Sequence, residues 1–251
     1  MNRYDLINCH WSQDTYFRHV LSQRIKATLG DKKNLRLLDI GCGAKPYKDL
    51  FAKNVSEYIG IDIEYGRAVN YVYDGVVIPF EDNSFDVVFC TSVLEHAEQP
   101  WVIVNEAYRV LKPGGTVIFT APFHYDVHSA PTDYWRFTSH GLRLLFKDYT
   151  NITTGGMDNS FLRALWWPPR KLFAILYGLF SLIRKPTATT SFPDHGTKKG
   201  GIISWIVFAV SHYPSWFFLN MLSLPFMLFP ADDGNSNYSN GLNHILTARK
   251  R

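Results

Sequence analysis

LRLLDIGCG, Leu35 to Gly43, is the stretch from which the fold is read. Leu35 to Ile40 is short and apolar and runs straight into a glycine turn, the mark of a buried parallel strand. Glycines at such a place let backbone approach a ligand closely. The crevice beyond the carboxyl ends of the strands is where open α/β sheets bind ligands. A dinucleotide fingerprint would read GxGxxG, but the last position here is Pro46, which argues against a pyrophosphate ligand.

Working outward, Phe17, Val20, Leu21, Ile25 and Leu29 recur at helical spacing in 11–29, with Gly30 as a stop, so a covering helix precedes the strand. After it, Pro46 is expected to open a helix running to about Lys53. Tyr58 to Ile63, Val69 to Tyr73 and Asp86 to Cys90 read as further strands. Pro100 starts an amphipathic helix with Val104, Ala107, Tyr108 and Leu111 on one side, and Gly114-Gly115 is expected to end it before a strand over Thr116 to Ala121. A helix from Thr138 to about Phe146 and a strand near Asn151 to Thr154 follow. Strands alternating with helices of this length imply right-handed βαβ units around a parallel sheet. The alternation then stops until GLNHILTAR, Gly241 to Arg249, which reads as the last strand of the same sheet.

Asp62 ends the second strand in YIGIDI, about twenty residues beyond the glycines, where a carboxylate can accept both hydroxyls of a ribose. LLDIGCG, then YIGIDI, then YDGVVIPFEDNSFDVVFCTSVLEH, then LKPGGTVIFTAPF together resemble a class I S-adenosylmethionine-dependent methyltransferase of the type 11 group, over about residues 35 to 123. The resemblance implies S-adenosylmethionine as cofactor. Asp39, Gly41 and Gly43 would surround its methionine part, Asp62 would hold the ribose, and Asp74 with Gly75 would lie at the adenine edge. Thr91, at the end of the fourth strand, joins the cofactor-binding candidates. The fold class implied is α/β: a Rossmann-like, mostly parallel seven-stranded sheet whose last strand is antiparallel. Glu95 and His96, in LEH, are assigned to shaping the cofactor side.

PFHYDVHSAPTDYWRFT, Pro122 to Thr138, follows the fifth strand and resembles the acceptor loop of methyltransferases encoded with bacterial surface-polysaccharide genes. His128, Pro131, Asp133, Trp135, Arg136 and Thr138 match that pattern. A sulfonium methyl is already activated, so the enzyme must align the acceptor and remove one hydroxyl proton. A histidine titrating near neutrality suits that task. His128 is read as the base, Asp133 as its orienting partner or a hydroxyl acceptor, and Arg136 as an anchor for an anionic or polar acceptor; the other reading is a structural Asp133–Arg136 pair with His128 packed under it. No metal site is assigned, because His124, Asp126 and His128 lack a clear further ligand.

The chain has 251 residues and a net charge of +4, but the charge is uneven: residues 161–251 hold 10 Lys/Arg against 3 Asp/Glu. That basic region is also the most apolar, which points to an anionic membrane surface and not to nucleic acid. Core boundaries of 1–156 and 241–251 are expected, with 157–240 a hydrophobic, basic-flanked helical insertion that associates with a membrane or forms a lid. Leu172 to Ile183, at 12 residues, is short of the roughly 20 needed to span a bilayer. Ile202 to Phe229 lacks Asp, Glu, Lys and Arg but holds Pro214 and Pro225, so shallow insertion, a buried dimer interface and a true crossing all stay open. Cys9, Cys42 and Cys90 show no metal or disulfide spacing, and the first residues show no secretory apolar run. A cytoplasmic protein, peripheral or monotopic at the inner face of the cell membrane, is expected. The acceptor expected is a hydroxylated glycan or lipid-linked molecule, with a quinone-like lipid ring as the alternative, a non-catalytic cofactor-binding module as the rival, and the oligomeric state open.

Overall fold

The structure is a computed structural model that describes residues 11–125, 127–157 and 243–251. The chain divides into two units, Tyr16–Asn159 with Ala231–Arg251 and Met1–Thr15 with Ser160–Pro230. The sheet belongs to the first. The insertion expected over 157–240 lies outside the described residues apart from Met157.

In chain order the elements are α1 (Trp11–Leu29), β1 (Leu35–Ile40), β2 (Val55–Asp62), β3 (Tyr71–Val72), β4 (Phe85–Thr91), α2 (Pro100–Val110), β5 (Leu111–Pro122), α3 (Ser139–Leu145), β6 (Thr150–Gly156) and β7 (Asn243–Arg249). The seven strands form one sheet in the order β3-β2-β1-β4-β5-β7-β6. β7 is antiparallel to both of its neighbours, β5 and β6, whereas the pairs from β3 to β5 are parallel. This is the expected α/β, Rossmann-like architecture, with GLNHILTAR supplying the antiparallel strand.

Strands covered on both faces need apolar residues at consecutive positions. β1 meets this with Leu37, Leu38 and Ile40, and β4 with Phe85, Val87, Val88, Phe89 and Cys90, all of them buried. α2 covers the sheet with Ile103, Val104, Ala107 and Val110. In α1, Val20, Leu21, Ile25 and Leu29 are buried at helical spacing.

Two local expectations are corrected. In place of a helix from Pro46 to Lys53 there is one 3-10 turn, Lys48–Phe51. Lys45 has φ +56°, outside the helical region, and after the turn Asn54 N–H bonds to Phe51 O (3.0 Å) just before β2 starts at Val55. Phe51 anchors that turn by packing on Phe89 at 5.0 Å and on Tyr58 at 6.0 Å. The second correction concerns Gly114-Gly115, which does not end α2. The helix stops at Val110, Leu111 already pairs with Phe85, and the sheet register shifts before Thr116 meets Val87. Residues 112–115 are therefore a bulge within β5, held by Gly114 N–H to Lys250 O (3.2 Å) and Lys250 N–H to Gly115 O (3.1 Å).

The strand order reverses between β1 and β4, and the loops after β1, β2, β4 and β5 gather at that carboxyl end. Such a reversal opens a crevice. Leu29, Lys32, Asp86, Lys112 and Thr116 line a different, shallow concavity at the opposite, amino end of the strands.

Candidate functional site

At the end of β1 the chain turns on two glycines with different reasons to be glycine. Gly41 has φ +67°, its N–H donates to Ile61 O (2.9 Å), and a Cβ there would fall 2.3 Å from Val93 Cγ2. Gly43 has φ +46°, yet a Cβ on it would meet nothing within 4 Å among the described residues. Close packing thus dictates Gly41, while Gly43 presents bare backbone to open space.

Asp62, at the end of β2, ties the turn to its neighbouring strand: Oδ2 accepts from Gly43 N–H (2.9 Å) and Oδ1 from Glu64 N–H (3.3 Å). A carboxylate offers about four lone-pair sites, so this one keeps capacity for two further donors. Beneath the turn, Asp39 is buried and accepts from the Tyr58 hydroxyl (2.7 Å). Burial pushes its carboxyl up to about 7, with the Tyr58 bond and the Lys45 charge opposing. A cation placed above it would favour the ionised form.

The remaining cofactor candidates lie at the same end of the sheet. Asp74 Oδ1 accepts from Val77 N–H and Val76 N–H, both at 2.8 Å, and these bonds hold its carboxyl below the usual range. Its neighbour Gly75 has φ +79°. The Thr91 hydroxyl, at the end of β4, accepts from Thr120 Oγ1 (2.9 Å).

On the far side of the crevice, the loop after β5 is pinned by an ion pair. Arg136 grips Asp133 through two bonds, of 2.6 and 2.8 Å, and its Nε donates to Tyr125 O (3.1 Å). The Asp133 side chain is 1% exposed, and Arg136 holds its carboxyl well below the usual range. Asp133 Oδ2 also accepts from His128 N–H (2.8 Å) and lies 3.3 Å from His128 Nδ1. The structure thus brings His128, Asp133 and Arg136 together, but Arg136 is directed at Asp133 and the loop backbone. His124 is exposed, and Asp126 lies outside the described residues.

Glu95 is the residue whose place the sequence did not reveal. It sits in the 3-10 turn Leu94–His96 after β4, and the loop docks on it: Tyr134 N–H (2.8 Å) and Trp135 N–H (3.2 Å) both donate to Glu95 O. Trp135 Nε1 donates to Ala97 O (2.8 Å), and His96 Nδ1 lies 2.6 Å from Thr132 O. His96 and His128 meet ring edge to face at 4.8 Å. The Glu95 side chain is buried; Oε2 has no hydrogen-bond partner among the described residues, and burial pushes the carboxyl up to about 7. The hint in the sequence was a charge directly after the apolar Val93 and Leu94.

Phe123, Tyr125, Val127, Tyr134 and Trp135 are all exposed on or beside this loop. An apolar and aromatic rim therefore accompanies a polar floor.

Residues 38–119 match the model of a family described as a methyltransferase domain. Over 128 residues the chain is 31% identical to the sterol 24-C-methyltransferase of Neurospora crassa, covering 43% of this chain and 34% of that protein. Over 115 residues it is 31% identical to the ubiquinone biosynthesis O-methyltransferase of Pectobacterium carotovorum, covering 40% and 46%. The chain spans less than half the length of these curated relatives. Among solved structures, phosphoethanolamine N-methyltransferase 2 of Haemonchus contortus, in complex with S-adenosyl-L-methionine, superposes with TM-score 0.52 at 18% identity, covering 92% of this chain and 52% of that one.

Proposed function

We propose that the protein is an S-adenosylmethionine-dependent methyltransferase acting on a hydroxyl, a reading that starts from the match of residues 38–119 to the methyltransferase domain model. The observation that carries this reading is the open space above Gly43, whose N–H is held by the Asp62 carboxylate. Bare backbone beside a carboxylate suits a ligand that brings a ribose and close-lying polar groups. The buried Asp39 below suits one that also brings positive charge.

When bound, the cofactor supplies a methyl already activated on a sulfonium. The task left to the chain is orientation, proton removal and exclusion of water. Asp62 would accept the ribose hydroxyls, with Asp74 and Gly75 at the adenine edge and Thr91 lining the crevice. With Nδ1 turned to Asp133, His128 would take the acceptor proton at Nε2. The Asp133–Arg136 pair fixes the ring that does so, and this favours a positioning role for Arg136 over direct acceptor binding.

For the acceptor, we infer a hydroxylated glycan or lipid-linked molecule at the cytoplasmic membrane face. The aromatic rim suits a sugar face or ring, and the basic, apolar sequence of 157–240 suits an anionic membrane surface. A quinone-like lipid ring is the second reading, supported by the similarity to the ubiquinone biosynthesis enzyme. No described helix is long and apolar enough to cross a membrane. The test is to incubate the chain with methyl-labelled cofactor and either membranes or soluble extract. Label in a polar, lipid-linked glycan supports the first acceptor, and label in a neutral lipid supports the second. Cofactor binding with no label in any fraction would leave a non-catalytic binding module.

A further inference from the structure

Besides the reaction above, the elements after β4 and β5 bring together a set of side chains with metal-ligand chemistry. One ligand atom from each of Glu95, His96 and His128 lies within 4.8 Å of the other two. Ligand atoms bound tetrahedrally to one zinc ion at about 2.1 Å lie about 3.4 Å apart, so closing by at most about 1.4 Å completes the set. That is within the reach of small side-chain rotations. We propose that Glu95, His96 and His128 form a site for a divalent transition-metal cation of the zinc type.

Three further observations support the site. Glu95 is 1% exposed, and its Oε2 has no partner among the described residues, an arrangement that costs free energy unless something satisfies it. The two histidines carry the outer contacts that orient metal-bound imidazoles: His96 Nδ1 is 2.6 Å from Thr132 O, and His128 Nδ1 is 3.3 Å from Asp133 Oδ2. Both rings are thereby oriented, and one nitrogen of each belongs to the set. Finally, among the described residues Arg136 is the cation whose charge acts on Glu95, and its two bonds to Asp133 offset that charge.

Two imidazoles and one carboxylate suit zinc, cobalt or nickel better than magnesium, which prefers an all-oxygen shell. Three protein ligands leave a coordination position for an acceptor oxygen. Without the ion, His128 acts as the base described above. With it, the ion would lower the pKa of the hydroxyl that it binds, and the hydroxyl proton would leave to solvent before the methyl is transferred. That catalytic role rests on the proposed methyltransferase reading; the binding site itself does not.

The experiment uses the untagged full chain, stripped with chelator and titrated with zinc by calorimetry and with cobalt by visible absorption. The expected result is one ion per chain, with cobalt giving the intense absorption of low-symmetry, four- or five-coordinate geometry. Glu95→Gln and His96→Ala should each weaken zinc binding more than about tenfold, while His140→Ala, at an exposed position, leaves it unchanged. Should Glu95→Gln not fold, by its thermal midpoint, His96→Ala decides. Absence of saturable binding to the folded chain, or equal affinity in His96→Ala, overturns the proposal. Titration of S-adenosylmethionine into the same proteins separates the two readings: zinc binding without cofactor binding would remove the methyltransferase reading and leave the cation site standing.

Discussion

Gly41 and Gly43 lie two residues apart in one turn, and the structure predicts opposite outcomes when each becomes alanine. At Gly43, φ is +46° and a Cβ meets nothing within 4 Å among the described residues, so Gly43→Ala meets backbone strain without a clash against them. That strain is about 1–2 kcal/mol, which for a domain of this size lowers the thermal midpoint by roughly 2–8 °C. The new methyl would stand where a ligand must approach the backbone. S-adenosylmethionine affinity should therefore fall by at least about tenfold, or about 1.4 kcal/mol. At Gly41, a Cβ would fall 2.3 Å from Val93 Cγ2, and a β-branched neighbour cannot swing aside cheaply. Gly41→Ala should add about 1–3 kcal/mol of overpacking to the same strain. Val93→Ala in the same chain should recover part of that, a coupling that Gly43→Ala would not show. Calorimetry with the cofactor and thermal unfolding read the two effects separately. Full cofactor affinity in folded Gly43→Ala would refute the claim that this surface is where the ligand sits.

Three other outcomes follow from the site. His128→Ala should lower turnover by about 10² to 10⁴ with cofactor affinity intact, and near-native turnover would move the role away from this residue. Burial raises Asp39 and Glu95 to about 7 from ordinary values of 3.8 and 4.5, so between those limits the folded chain binds more protons than the unfolded chain and loses stability as pH rises. The thermal midpoint should climb from about pH 7.5 to about pH 5.5, and less so in Glu95→Gln; His244, whose pKa burial lowers, opposes the trend in both proteins, so an equal climb in both would contradict the Glu95 part. High salt should release little of the full chain from anionic vesicles and detergent should release it, because buried apolar segments resist screening; a chain that ignores such vesicles would remove the membrane reading of 157–240.

Much of the sheet was legible because its signals are local. Leu35–Ile40 places Leu35, Leu37, Leu38 and Ile40 ahead of a glycine turn, Asp62 closes a second apolar run, and GLNHILTAR is bounded by polar residues. Those patterns are dictated by burial on both faces and by a turn with positive φ. What escaped the sequence depends on pairs far apart in the chain. Nothing near Glu95 says that Tyr134 and Trp135 will bond to its carbonyl, 39 and 40 residues away, in a place where its side chain is buried. The helix expected after Pro46 failed for a similar reason, since the turn found there is anchored by Phe51 packing on Phe89, 38 residues away. Arg136 could be read as an anchor or as a pin from sequence alone, and its two bonds to Asp133 are a matter of geometry.

The most direct test is calorimetric titration of S-adenosylmethionine into the full chain and into Asp62→Ala. One cofactor should bind per chain. The variant, deprived of the carboxylate that joins Gly43 N–H to the ribose position, should bind about 10 to 150 times more weakly, corresponding to about 1.5–3 kcal/mol for hydrogen bonds to a charged group. Absence of binding to the folded chain, or equal affinity in a folded Asp62→Ala, would contradict the assignment of this crevice to the cofactor.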